Sequence, residues 1–215
     1  MEKPVADEKV QLRRVLQECR TALSPACVAA LSSSIQHRVL SLERYGSGRA
    51  VVLYAPKDNE VLTESILAEA LAAGRTVYYP RLDLSQDQLR LVRVSDSSEL
   101  RPGTHGIREP IACDTLDTSA LGDALVCVPG LGFSPSGQRL GRGGGHYDRL
   151  IAQMGPAVTT IGLAYSFQLL ERLPQHPHDQ RLHFVITESA VHVAAQNRVS
   201  RRGRAHEGGV PRCNC

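Results

Sequence analysis

The chain has 215 residues, 42% hydrophobic and 22% charged, enough for one globular domain with a full core and not a composition typical of disorder. No run approaches the roughly 20 apolar residues that cross a bilayer, and the charged opening MEKPVADEKVQLRR lacks the apolar stretch of a secretory signal, so a cytoplasmic protein with no membrane partner is expected. The net charge of +3 belongs to the tail: from Gln196 onward five arginines stand against Glu207, a net of +4 that leaves −1 for residues 1–195. A nucleic-acid binder should group its basic residues on the folded part, and none is expected here.

Residues 9–23 place Leu12, Val15, Leu16, Cys19 and Leu23 at helical spacing. Lys9 and Arg13 are four apart and share a face; by periodicity alone they read as two solvated cations. Ser24-Pro25 is a helix start, a capping hydroxyl followed by proline at the first helical position. This second helix is predicted to run to Tyr45 and to end at Gly46-Ser47-Gly48. Residues 49–55 (RAVVLYA) read as a buried strand. A loop over residues 56–60 then leads to a helix over 61–73, closed by Gly74. Glu60 thus follows a strand, at the rim where open α/β sheets take ligands, although an acidic residue ahead of a helix is also simply favourable there.

Residues 76–79 read as a strand ending at Pro80-Arg81, and residues 89–94 alternate as an edge or hairpin strand. Residues 95–120 are turn-rich, and a loop of that length is often a binding loop or lid. A short apolar strand, 124–128, delivers the chain to Pro129-Gly130. After it comes GLGFSPSGQRLGRGGGHYDRL, glycine-dense and followed by a helix over 147–154. Glycines let backbone N–H groups approach a ligand, and successive amides form a concave anion site. Arg139 and Arg142 add planar forks suited to phosphate or carboxylate. Asp148 is a hard oxygen ligand for a magnesium ion bridging to phosphates. No Gly-Lys pair occurs, so there is no P-loop, and His146 stands where G-x-G-x-x-G needs its third glycine. The composite points to nucleotide phosphates.

Residues 158–164 read as a strand, Ser166 as the cap of a short helix, and 184–187 as the last strand. His176, His178 and Asp179 cluster on a proline-broken loop, a weak zinc pattern without a thiolate partner. Six cysteines, at 19, 27, 113, 127, 213 and 215, lack paired zinc spacing and carry no assigned chemistry. Alternating strands and helices predict an α/β three-layer sandwich, a mainly parallel sheet with helices on both faces. Residues 1–190 form this domain and 191–215 a basic, disordered extension, with an RNA- or partner-binding arm as the sharper alternative.

The stretch PGLGF followed by RLGRGGGHYD resembles the signature of the 5-formyltetrahydrofolate cyclo-ligases, closely over residues 129–150 and more thinly from about residue 9 to 187. The resemblance implies a ligase that uses Mg-ATP to close 5-formyltetrahydrofolate into 5,10-methenyltetrahydrofolate, releasing ADP and phosphate through a phosphorylated formyl intermediate. It implies ATP contacts at Lys9, Arg13, Arg139, Leu140, Gly141, Arg142, Gly143, Gly144, Gly145, His146 and Tyr147. It implies folate contacts at Ala55, Glu60, Arg142, Gly143, Gly144, Gly145 and His146, a catalytic part for Arg142 and Arg139, and magnesium on Asp148 and Asp179. The GIREP piece at 106–110 is similar to a family element without chemistry of its own. One position departs: the family has an aromatic where His146 stands. That departure and the odd tail leave open a non-catalytic folate- or nucleotide-binding regulator. A monomer is expected.

Overall fold

The computed structural model describes residues 3–194 apart from 104–105 and 113–114. Its centre is an eight-stranded sheet in the order β12-β11-β10-β7-β1-β2-β3-β6, built from β1 (Ala50–Val52), β2 (Thr76–Asp83), β3 (Gln88–Val94), β6 (Thr115–Leu116), β7 (Ala124–Val128), β10 (Thr159–Leu163), β11 (Phe184–Ile186) and β12 (Val191–Val193). The inner strands β11, β10, β7, β1 and β2 are parallel, and antiparallel strands close both edges. Two small ribbons stand apart, β4 (Leu100–Pro102) with β5 (Arg108–Pro110), and β8 (Gly132–Phe133) with β9 (Arg139–Leu140).

Side-chain alternation divides the core. Val51, Leu53, Leu125 and Cys127 face α2 (Pro25–Leu40) and α4 (Glu64–Ala72) through Ile35, Val39, Ile66 and Ala70. Ala50, Val52, Val126 and Val128 face Leu150 of α5 (His146–Ala152). The fold is the expected three-layer α/β sandwich with a mainly parallel sheet. A third, smaller cluster of Leu16, Leu131, Leu140 and Leu173 seats α1 (Lys3–Thr21) against the β8–β9 ribbon.

Several boundaries differ from the sequence reading, each for a local reason. α2 stops at Leu40 rather than Tyr45: the Ser41 hydroxyl donates to the His37 carbonyl, Leu42 turns extended, and α3 (Glu43–Ser47) begins anew. α4 starts at Glu64 rather than 61, because residues 61–63 are tethered to the end of β1. Tyr54 donates to the Val61 carbonyl, and Thr63 donates to the Tyr54 carbonyl. β2 runs through Pro80 to Asp83, since β1 pairs only with residues 76–78 and the proline lies where the sheet has thinned to the β2–β3 hairpin. Ser166 is the first residue of its 3-10 turn and not its cap; Tyr165 is the cap, and its N–H donates to Gln168 Oε1. β11 is not the last strand. β12 adds an antiparallel edge at Val191–Val193, so the sheet extends past the boundary expected at 190. The arginine tail lies outside the described residues.

The chain order of the strands fixes where a ligand can enter. From β1 the connection through α4 moves to one side of the sheet, whereas β7, β10 and β11 build outward on the other. The reversal falls between β1 and β7, and open α/β sheets bind ligands outside the carboxyl ends of the strands at such a point. The Glu60 loop leaves β1 there, and the glycine loop leaves β7. Among the described residues no helix is long and apolar enough to cross a membrane.

Candidate active site

A cleft lies over the ends of β1 and β7, the place where open α/β sheets take small molecules. Tyr54, Pro80, Leu82, Leu89 and Ile107 make an apolar wall, with Ala55 and Glu60 at its floor. Gly141, Gly144, Gly145, Arg139, Arg142, His146, Tyr147 and Asp148 make a polar wall. Gly143 (φ +114°) and Gly145 (φ +66°) hold left-handed backbone that a side chain disfavours, so the loop's path depends on glycine at both. The expected residues thus converge on one rim, with exceptions of detail: Gly143 is not itself on the cleft surface, although Arg142 and Gly144 on either side of it are. Leu140 is buried in the small apolar cluster under α1, so only its backbone could reach a ligand. Lys9, Arg13 and Asp179 stand behind the polar wall rather than on the cleft surface.

Four ion pairs organise the polar side. Arg139 Nη2 lies 2.8 Å from Asp148 Oδ2, and its guanidinium lies 5.7 Å from the Tyr147 ring centre. Arg139 Nε is buried without a hydrogen-bond partner among the described residues. Arg142 binds Asp58 Oδ2 at 2.9 Å and Glu60 Oε1 at 3.2 Å. Burial opposes the Asp58 charge, but the Arg142 guanidinium outweighs it and holds that carboxyl below its ordinary range. Lys9, which periodicity alone would leave in solvent, is 5% exposed and bound to Asp179 Oδ2 at 2.7 Å. Arg13 donates to the Gly141 carbonyl at 2.9 Å, which brings α1's second cation onto the glycine loop.

The two carboxylates expected to hold metal are neighbours. The amide of Gln180, the residue after Asp179, donates to Asp148 Oδ1 at 3.1 Å. Among the described residues no group of three or more metal-binding side chains occurs, which leaves no place for an all-protein metal cage and no support for zinc at His176 and His178. Two carboxylates, here each paired with a cation, are still the kind of donors on which magnesium is held jointly with phosphate oxygens and waters.

Burial pushes the Asp179 carboxyl up, but the Lys9 ammonium and the His176 amide win and hold it below its ordinary value. A carboxyl depressed in the folded state binds fewer protons there than when unfolded. Its stabilisation is therefore complete above the unfolded value near ~4 and is lost as pH falls through the folded one. The wild type should accordingly melt above Asp179→Asn at neutral pH, and the gap should close on acidification below about pH 4. A gap independent of pH in thermal melts would detach Asp179 from that pairing.

Besides the apolar wall, sequence reasoning missed several contributors. Arg20 is 1% exposed and sits behind Glu60 at 3.4 Å. Lys9, Arg13, Leu16 and Arg20 follow i, i+4, i+7, i+11, one helical face, whereas Val15 and Cys19 of the expected apolar stripe are exposed. Asn59 caps the end of α1 through its side-chain amide, donating to the carbonyls of Arg20, Thr21 and Leu23. The GIREP piece, chemically mute in the sequence, lines the cleft with Ile107, Arg108 and Glu109. His146, where the departure from the resemblance falls, lines the cleft and is hydrogen-bonded through Nε2 to Asp87 Oδ1 at 2.9 Å. Arg149 joins the same carboxylate at 3.0 Å, so α5 is pinned to the tip of the β2–β3 hairpin.

Fold and cleft together define a three-layer α/β domain that takes a small molecule at its sheet's switch point, between an apolar wall and a cation-bearing glycine loop. The chain matches the 5-formyltetrahydrofolate cyclo-ligase family over residues 5–188. It is 27% identical to the 5-formyltetrahydrofolate cyclo-ligase of Mus musculus, covering 86% of this chain and 96% of the relative. It is 31% identical to that of Escherichia coli K12, covering 82% and 98%. The structure is similar to Aquifex aeolicus 5,10-methenyltetrahydrofolate synthetase, with a TM-score of 0.77, 30% identity, and coverage of 93% and 96%. The chain belongs to the 5-formyltetrahydrofolate cyclo-ligase family and is a ligase, which leaves the non-catalytic regulator without support.

Proposed function

We propose that this ligase closes 5-formyltetrahydrofolate into 5,10-methenyltetrahydrofolate while converting ATP to ADP and phosphate. The observation that carries this reading is a single cleft with two unlike sides. Its apolar wall and Glu60 suit a flat, hydrogen-bonding pterin, and its arginines and glycine amides suit phosphates.

The pterin lies along Tyr54 and Ala55, with the Glu60 carboxylate accepting hydrogen bonds from its N–H groups. The phosphates lie along the amides of the glycine loop, within reach of Arg139 and Arg142, and Lys9 and Arg13 contribute charge from α1. The formyl oxygen attacks the γ-phosphorus and ADP leaves. The oxygen bound to the formyl carbon becomes a phosphate ester, a far better leaving group than oxide. N10 then attacks that carbon, a five-membered ring closes, and phosphate departs with the former formyl oxygen. Such transfer asks the protein for alignment and charge neutralisation rather than covalent help, and no general base is assigned. Asp148 and Asp179 would hold a magnesium ion together with phosphate oxygens, and that ion would supply charge neutralisation when bound.

The route predicts where an oxygen goes. With 18O in the formyl group, the label should appear in the released phosphate, read by mass spectrometry. Label retained in the folate product or passed to water would refute the phosphorylated intermediate. On the metal side, Asp148→Asn should raise the magnesium concentration needed for half-maximal turnover, and an unaltered magnesium titration would remove that ligand.

A further inference from the structure

Glu60 carries two guanidiniums on one oxygen. Arg142 Nη2 stands 3.2 Å from Oε1 and Arg20 Nη1 stands 3.4 Å from it, while Oε2 accepts from the Lys57 amide at 3.1 Å. The two arginines differ in every respect that governs movement. The Arg142 side chain is 42% exposed and sits between Gly141 and Gly143, and its other partner, Asp58, is itself one-third exposed. The Arg20 side chain is 1% exposed and projects from the 19-residue α1. All three of its nitrogens have further partners: Nε donates to the Asp58 carbonyl at 2.9 Å, Nη1 also to the Gly130 carbonyl at 3.1 Å, and Nη2 to Gln17 Oε1 at 3.4 Å.

We infer that Arg20 is a positioning residue that keeps a cation against Glu60 and holds its carboxylate at the cleft when Arg142 leaves it for phosphate. The inference rests on the proposed function, because it needs Arg142 to serve a second, anionic partner. Glu60 is 8% exposed, and a buried carboxylate stripped of its cation is strongly disfavoured. With Arg20 fixed behind it, Arg142 can depart without that penalty. The same guanidinium joins the loop after β1, at Asp58, to the turn after β7, at Gly130, and so sets the spacing across the switch point. Arg20 reaches neither substrate in this arrangement; it acts through Glu60.

The test uses the full-length protein and direct titrations with 5-formyltetrahydrofolate and with Mg-ATP, for wild type, Arg20→Met, Arg20→Lys, Glu60→Gln and the Arg20→Lys/Glu60→Gln pair. Arg20→Met should weaken Mg-ATP binding about tenfold, because Arg142 can then leave Glu60 only by stranding it, while binding of folate alone, with Arg142 still on Glu60, stays within about twofold; a coupling of that size is ordinary for groups in contact. Arg20→Lys keeps the charge without the fork and should fall between. In the Glu60→Gln background, where no buried charge is left to strand, Arg20→Lys should have no further effect on Mg-ATP binding, which a general loss of packing would not reproduce. Equal weakening of both ligands, unchanged Mg-ATP binding, or additive effects in the pair would overturn the inference. If Arg20→Met does not fold, as judged by circular dichroism, the Lys variant and the pair decide. ATP-dependent turnover by the wild type is measured alongside; its absence would sink the proposed function, whereas the titrations alone judge Arg20.

Discussion

Replacing Arg142 with Ala should lower kcat/KM by about 10²-fold or more, the loss seen when one pre-placed donor to developing charge is removed, and should barely move the melting temperature. The asymmetry follows from its surroundings. Its contact with Asp58 is a half-exposed ion pair, and such pairs are worth about 0–1 kcal/mol. Its contact with Glu60 is backed by Arg20 and the Lys57 amide, so the carboxylate is not orphaned. The residue therefore contributes little that holds the fold and sits on the glycine loop at the cleft. Steady-state kinetics beside a thermal melt measure both halves. Turnover within a few-fold of wild type would remove Arg142 from the chemistry.

Arg139→Met should behave differently, losing activity and stability together. The Arg139 side chain is 4% exposed and that of Asp148 16%, and the guanidinium packs over Tyr147. Removing one partner of a buried pair strands the other, at a cost of about 3 kcal/mol or more. In a chain of this size that is a fall in melting temperature of roughly 10 °C. Methionine fills much of the aliphatic volume, so the loss is assigned to charge rather than to a cavity. A melting temperature unchanged by Arg139→Met would mean that the pair with Asp148 is not holding the glycine loop against α5.

The contrast between these arginines shows what the sequence made legible. Both could be placed at the cleft from their position in a glycine loop after a buried strand, and Glu60 from its place after another. The parallel core was readable because its strands are short apolar runs alternating with helices. What was not readable depends on contacts far apart in the chain. Arg139 meets Asp148 only because β8 and β9 fold the loop back on itself, and a glycine-dense stretch gives no strand signal. The apolar wall formed by Pro80, Leu82 and Leu89 requires β2 to continue past a proline, which local rules read as an end. Lys9 and Arg20 escape a search for hydrophobic periodicity because each is buried as a charge, paired with Asp179 and Glu60 at separations of 170 and 40 positions. Their spacing with Arg13 and Leu16 on one face of α1 was the available signal, and it shows only when cations are counted with the apolar residues.

Ring closure in this cleft requires ATP and 5-formyltetrahydrofolate to bind there together. Absorbance at the methenyl product's band is the deciding measurement, followed with purified protein, 5-formyltetrahydrofolate and Mg-ATP and again without ATP. The absorbance should rise only with ATP present, the rise matched mole for mole by released phosphate. No rise from folded protein that binds both ligands, or a rise indifferent to ATP, would contradict ring closure by this route.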